Sequence, residues 1–264
     1  MYAHKIQLKL GAEQPLNVAH LTDIHLCLAD ERDAHLIKHA DDRNQLFHRE
    51  AGCPDLYPEE CFAAAMEYSE ANCDLAVITG DVLDFVTEAN MEASDRILKG
   101  KRYMFTAGNH EFCPQVGIPD SQARKFDIYG KIQSHFQGNM FFESRVIHGI
   151  NLVTIDNSYY NYSALQIEAL KKEIAKGYPI VLFSHVPLTD AMINLQAAHK
   201  DLPPDGYMKS INTQMLDLIA SCPLIKAEFS GHWHVRLENS FRGVIPEYVT
   251  AGCFKKEFTH IEIL

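Results

Sequence analysis

The chain has 264 residues, 47% of them apolar and 22% charged, with a formal net charge of −11. That length and composition suit one large or two small globular domains and exclude a disordered chain. The acidic balance speaks against a nucleic-acid partner, which calls for clustered Lys and Arg.

Seven cysteines, none in a C-x-x-C pair, argue against a disulfide framework or a cysteine zinc cage. A reducing, cytoplasmic setting is the expectation. The opening Met1-Tyr2-Ala3-His4-Lys5 lacks the apolar stretch of a signal peptide, and no apolar run is long enough to span a bilayer.

In chain order, Ile6 to Leu10 alternates apolar and polar residues, as an edge strand does. Leu16 to Leu21 reads as a second strand and runs straight into Thr22-Asp23-Ile24-His25. Pro58 to Cys73 reads as a helix, with Pro58 in its first turn and Phe62, Ala65, Met66 and Ser69 on one face. Leu75 to Thr79 is a continuous apolar run stopping at Gly80-Asp81, the pattern of a buried strand. Thr87 to Leu98 is a helix closed by Gly100. Arg102 to Thr106 is a strand ending at Gly108-Asn109-His110-Glu111.

Ser121 to Phe136 is helical. Met140 to Ile147 and Ile150 to Ile155 are strands joined at His148-Gly149. Ser163-x-x-Gln166 has the form of a capping box and opens a helix to Lys176, stopped by Gly177. Pro179 to Phe183 is a strand ending at Ser184-His185, and Asn212 to Ala220 a helix. Ala227 to Phe229 leads into Gly231-His232-Trp233-His234. The tail from Arg236 carries short strand patterns only. Alternating strand and helix without a linker predicts a single α/β domain over residues 1–264.

Five predicted strands end in residues able to bind metal: Asp23-x-His25, Gly80-Asp81, Asn109-His110, His185 and His232-x-His234. In open α/β sheets, sites gather beyond the carboxyl ends of strands. Carboxylate, imidazole and amide oxygen suit Zn, Fe or Mn. A carboxylate can also bridge two ions about 3.5–4 Å apart. Asp-x-His alone is a weak signal. Gly-His-x-His is expected about 0.04 times by chance in such a chain, so it carries much of the weight.

These strings resemble the motifs of the calcineurin-like metallophosphoesterases: D-x-H, G-D-x-x-D, G-N-H-[D/E], a lone H, then G-H-x-H. Here they read Asp23-Ile24-His25, Gly80-Asp81-Val82-Leu83-Asp84, Gly108-Asn109-His110-Glu111, His185 followed by Pro187, and Gly231-His232-Trp233-His234. The resemblance spans about residues 16 to 235. It implies a four-layer α-β-β-α sandwich with two central mixed β-sheets, and two divalent or trivalent ions of Mn, Fe or Zn.

The resemblance further implies that Asp23, His25 and His234 hold the first ion. Asn109, His185 and His232 hold the second, and Asp81 bridges them. His110 is then the non-ligand histidine facing the scissile ester, oriented by Asp84. The implied reaction is hydrolysis of a small-molecule phosphate ester by a hydroxide bridging the two ions. Phosphoprotein phosphatases of the superfamily read G-D-x-x-D-R-G, but Phe85-Val86 follows Asp84 here. That weakens a phosphoprotein substrate, and the motifs look more like the cyclic-nucleotide and glycerophosphodiester branch, a resemblance that implies a phosphodiester rather than a monoester. The alternatives are a catalytically silent scaffold, which would lack ligands, and a DNA nuclease, which would carry a basic stripe.

Other residues weigh less. His35 and His39 stand four apart and fit a solvated helix face better than a metal pair. His20 reads as structural and Cys113 as inert. Glu111 fits equally an orienting role or a loop cap. Tyr159, Tyr160 and Tyr162 fit packing over the sheet edge better than a ligand pocket. Segments 26–57, 112–137 and 189–211 follow ligand motifs directly, where substrate choice is encoded in such folds. The sequence sets no oligomeric state.

Overall fold

The computed structural model describes residues 1–53, 57–118, 121–188, 190–191, 194 and 212–264. Eleven strands form two sheets among them. The first holds β1 (Tyr2–Leu8), β2 (Leu16–Leu21), β3 (Leu75–Thr79), β4 (Tyr103–Thr106) and β11 (Glu257–Ile263), in the order β1-β11-β2-β3-β4. The second holds β5 (Phe142–Ile147), β6 (Ile150–Ile155), β7 (Ile180–Phe183), β8 (Ile225–Ser230), β9 (Leu237–Phe241) and β10 (Ile245–Val249), in the order β5-β6-β7-β8-β10-β9.

Both sheets are mixed. β2, β3 and β4 run parallel in the first, and β6, β7, β8 and β10 in the second. Helices with both ends among the described residues are α1 (Ile37–Ala51), α2 (Pro58–Asn72), α3 (Glu88–Leu98), α4 (Gln122–Gln133), α5 (Ala164–Ile174) and α6 (Thr213–Ser221).

Strand alternation builds the layers. Val18, Val77 and Met104 of the first sheet meet Leu152, Val181, Phe183 and Phe229 of the second in one dry core. The opposite parity of the first sheet, Ala19, Leu21, Ala76, Ile78 and Phe105, packs under Phe62, Ala65 and Met66 of α2 and Met91 of α3. The opposite parity of the second, Val153, Ile155 and Leu182, packs under Ile167 and Leu170 of α5 and Met215, Leu216 and Ile219 of α6. Strands covered on both sides are buried at every position, as β3, β6 and β7 are, and β7 is apolar throughout. The result is the α-β-β-α sandwich expected from the motifs.

Differences from the sequence reading lie at element ends and in pairing. β1 begins at Tyr2 and stops at Leu8, because it pairs in parallel with β11 from Tyr2↔Glu257 to Leu8↔Ile263. It is an edge strand all the same. Ser121 caps α4 by accepting from the Arg124 amide. The stretch after His25 holds a 3-10 turn, Glu31–Leu36, with His35 in it, and then α1 with His39. Of 189–211, only residues 190, 191 and 194 are described.

Candidate metal centre

The five motif segments leave the carboxyl ends of β2, β3, β4, β7 and β8. Register aligns those ends: Leu21 faces Ile78, Thr79 faces Thr106, and Phe183 faces Phe229. All seven ligand candidates therefore gather at one edge, three segments from the first sheet and two from the second.

The backbone there is unusual. Asp23, His25, Asp81, His232 and His234 all have positive φ, between 50° and 72°. A left-handed residue other than glycine costs roughly 1–3 kcal/mol. Five such residues gathered in one place mark a strained site, as functional centres often are. Close approach is enforced by small residues: a Cβ on Gly231 would sit 1.9 Å from Thr22 Oγ1 and 2.4 Å from Asp23 Oδ2.

The side chains converge in two groups sharing a carboxylate. In the first, His25 Nε2 lies 2.9 Å from His234 Nε2 and 3.8 Å from Asp23 Oδ1, and His234 Nε2 is 3.4 Å from Asp23 Oδ1. In the second, His185 Nε2 lies 3.2 Å from His232 Nδ1 and 3.3 Å from Asp81 Oδ2. Asp81 Oδ2 is also 3.8 Å from His25 Nε2, which puts this carboxylate between the groups. Asp23, His25 and His234 form one potential cation cluster, and Asp81, His185 and His232 another. His25, Asp81 and His110 form a third. His35 and His39 join none of these clusters among the described residues.

The tautomers follow from the outer bonds. His25 donates from Nδ1 to Asp84 Oδ1 at 2.8 Å, leaving its Nε2 lone pair facing inward. His185 donates from Nδ1 to the Thr79 carbonyl at 2.7 Å, with the same result. His232 places Nε2 3.1 Å from the Tyr160 hydroxyl and turns Nδ1 inward. Asp23 Oδ2 accepts from Thr22 Oγ1 and the His232 amide, both at 2.8 Å. Its Oδ1 is buried without a hydrogen bond, as is Asn109 Oδ1.

Orphaned buried acceptors are costly. Inward lone pairs on imidazoles as close as 2.9 Å repel one another. A cation in each group relieves both problems, so the donor set fits two ions.

His110 sits at the rim, its side chain 18% exposed. It donates from Nδ1 to the Asp84 main-chain carbonyl at 2.7 Å, and its amide donates to Asp81 Oδ1 at 2.9 Å. The Asp84 carboxylate approaches His110 Nδ1 only to 3.4 Å. Asp84 thus holds His25 with its side chain and His110 mainly with its backbone. Burial lowers the His110 pKa, but the charge of Asp81 and the bonds to Asp84 outweigh this and push it up to about 10. Cations among the carboxylates would oppose that rise. Burial likewise raises Asp81, and the imidazoles around it more than reverse the effect, keeping it an anion.

Several neighbours escaped the sequence reading as parts of this site. Arg43 of α1 donates twice to Asp84. Asn157 accepts from the amides of His185 and Val186 through Oδ1, at 3.1 and 2.9 Å. Glu111 resolves as a loop tie: its carboxylate accepts from the amides of Gly108, Asp81, Val82 and Leu83 at 2.6–3.2 Å. Burial and the Asp81 charge push its pKa up to about 7 against those donors.

Of the tyrosines, Tyr160 reaches His232, and Tyr162 accepts from Asn157 Nδ2. Tyr159 lines a cavity of about 380 Å³ beside Lys125, Phe126 and Tyr129. His20 is buried between Thr79 and Thr250 hydroxyls, and burial pushes it down to about 3, as a structural histidine requires.

The sequence pattern of the family described as calcineurin-like phosphoesterase matches residues 16–236. The chain belongs to the calcineurin-like phosphoesterases. The matched stretch begins at β2 and ends just past His234, so it contains all five motif segments.

Solved structures of similar fold include a dimetal phosphatase from Danio rerio. It is 12% identical with a TM-score of 0.53, covering 91% of this chain and 88% of that one. A purple acid phosphatase from yellow lupin (Lupinus luteus) seeds is also 12% identical, with a TM-score of 0.55, covering 89% of this chain but 44% of its own. At such identity these likenesses bear on the fold of this calcineurin-like phosphoesterase and no further. No curated protein matches the chain in sequence.

Proposed function

We propose that the chain hydrolyses a small-molecule phosphate ester at a pair of cations. Asp23, His25 and His234 would hold one, Asn109, His185 and His232 the other, and Asp81 both. The observation carrying this reading is the convergence of five strand ends on one cluster of side chains, where buried Asp23 Oδ1 and Asn109 Oδ1 have no hydrogen bond. Carboxylate, imidazole and amide donors suit Mn, Fe or Zn. Such a pair, when bound, supplies charge for phosphoryl oxygens and lowers the pKa of a water.

The chain's own residues prepare the rest. Asp84 and Thr79 fix the tautomers of His25 and His185, so no reorganisation is needed at the moment of reaction. His110 keeps Nδ1 on the Asp84 carbonyl and has Nε2 available to protonate the departing oxygen. A phosphodiester is favoured over a monoester. The motifs look more like those of the cyclic-nucleotide and glycerophosphodiester branch than like those of the phosphoprotein phosphatases.

The net charge of −11 disfavours a nucleic acid as substrate. All seven cysteines are free thiols, which supports a reducing compartment such as the cytoplasm. No described helix is long and apolar enough to cross a membrane.

The test is metal-stripped protein reconstituted with Mn²⁺ and offered nitrophenyl phosphate mono- and diesters. Metal-dependent turnover is expected, with kcat/KM higher for the diester. One bound ion or none, with neither ester turned over, would point instead to a silent scaffold. A monoester preference would overturn the diester assignment alone.

A further inference from the structure

Helix α1 turns one face onto the first half of the centre. Arg43, Phe47 and Glu50 lie at i, i+4 and i+7, a single stripe. Arg43 donates from Nε to Asp84 Oδ2 at 2.6 Å and from Nη2 to Asp84 Oδ1 at 2.7 Å. The Asp84 side chain is fully buried and in turn accepts a hydrogen bond from His25 Nδ1. Phe47 stacks on the His25 ring, centroids 4.9 Å apart and planes at 27°. The Arg43 guanidinium lies 4.7 Å from the Phe47 centroid, so the two side chains brace each other. Asn44 donates Nδ2 to the Cys27 carbonyl at 2.8 Å, pinning the helix to the segment that follows His25. One helix therefore grips His25 by its Nδ1 edge and by one ring face.

We propose that α1 is the positioning element of the first cation site, with Arg43 acting through Asp84 to aim His25 Nε2. This rests on the binuclear reading above. The physical reason is geometric. A guanidinium fork meets both carboxylate oxygens in plane, so it fixes where Oδ1 can accept. A buried carboxylate stripped of that partner is strongly disfavoured where it stands. Any rearrangement that relieves it takes away the acceptor that orients His25. Outer partners of this kind are worth 10–100-fold in metal affinity. The named holds on the second half come from elsewhere: Thr79 and Asn157 on His185, and Tyr160 on His232. Disturbing α1 should therefore weaken one site and spare the other.

The experiment uses the full chain, stripped of metal and titrated with Mn²⁺ alone. Uptake is followed by calorimetry and by the electron paramagnetic resonance of isolated against exchange-coupled Mn²⁺. Wild type, Arg43→Met, Arg43→Lys and Phe47→Leu are compared, with circular dichroism to check folding. Wild type is expected to take up two ions and show the coupled signal.

Arg43→Met should keep one ion near wild-type affinity and bind the other about 10–100-fold more weakly. Isolated Mn²⁺ then replaces the coupled pair at concentrations that saturate the wild type. Arg43→Lys should fall between, since an ammonium restores charge without the fork. Two ions bound by Arg43→Met as in wild type would overturn the inference, as would equal weakening of both sites. If Arg43→Met fails to fold, Phe47→Leu decides: selective weakening supports the inference, and unchanged two-ion binding overturns it. Fewer than two ions in wild type would defeat the binuclear reading itself, and this inference with it.

Discussion

At the scale of single residues, the sharpest question is whether His110 moves a proton or holds a cation, since it also shares a cluster with His25 and Asp81. Its bond from Nδ1 to the Asp84 carbonyl commits one ring nitrogen away from the pocket. If it serves as general acid, His110→Ala should lower kcat about 10²–10⁴-fold while two ions per chain remain by metal analysis. Loss of an ion from that variant would make His110 a ligand and remove its assigned role. The motif residues could be read from the sequence because each is part of a short string directly after an apolar strand. Their partners could not. Arg43 meets Asp84 across 41 positions and Tyr160 meets His232 across 72, from segments with no motif of their own. Glu111 was visible as a polar residue in the right string. Its four amide donors depend on how the loops after β3 and β4 fold together.

At the scale of elements, the strand-to-loop turns set the site, and Gly80 is where two of them touch. It has φ of 82°, and a Cβ there would sit 2.0 Å from the Gly108 amide nitrogen. Gly100 closes α3 with φ of 73° and has open space around it. The pair separates two penalties. Gly100→Ala should cost about 1–2 kcal/mol, the left-handed term alone. Gly80→Ala should cost at least about 2 kcal/mol more, because backbone must shift to admit the methyl. Urea unfolding of both metal-free variants measures this, and equal losses would show that crowding at Gly80 is relieved without cost. The strands that build these turns were legible wherever they are covered on both faces, as in β3, β6 and β7. Helix α1 was legible only as a solvated face around His39 and not in its bounds, because only Ala40 and Phe47 of its fifteen residues are buried. Nor was the insertion of β11 between β1 and β2, which joins residues some 255 positions apart and leaves no local pattern.

At the scale of the whole molecule, the centre spans the junction of two sheets, and the outer side of the second sheet carries a separate charge problem. Glu228 of β8 and Glu247 of β10 are register partners, both buried. Glu228 accepts from Ser184 Oγ, while Glu247 accepts from the Leu188 amide and Asn239. Burial raises both pKa values. The Glu247 charge raises Glu228 further, and Glu247 itself is pushed up to about 7 from its ordinary 4.5. The folded state thus binds more protons than the unfolded chain between those values. Stability from this pair is complete below about pH 4.5 and is lost as pH rises through about 7. Glu228→Gln keeps the shape and removes one of the two charges. Its stability relative to wild type should be near zero at pH 4.5 and increasingly positive toward pH 8. The slope is at most about 1.4 kcal/mol per pH unit for one proton. Urea unfolding of metal-free protein across that range reads the difference directly and leaves the cation sites out of the comparison. A flat difference would mean that both carboxylates stay charged in the fold, with donors enough between β8 and β10 to hold two anions side by side.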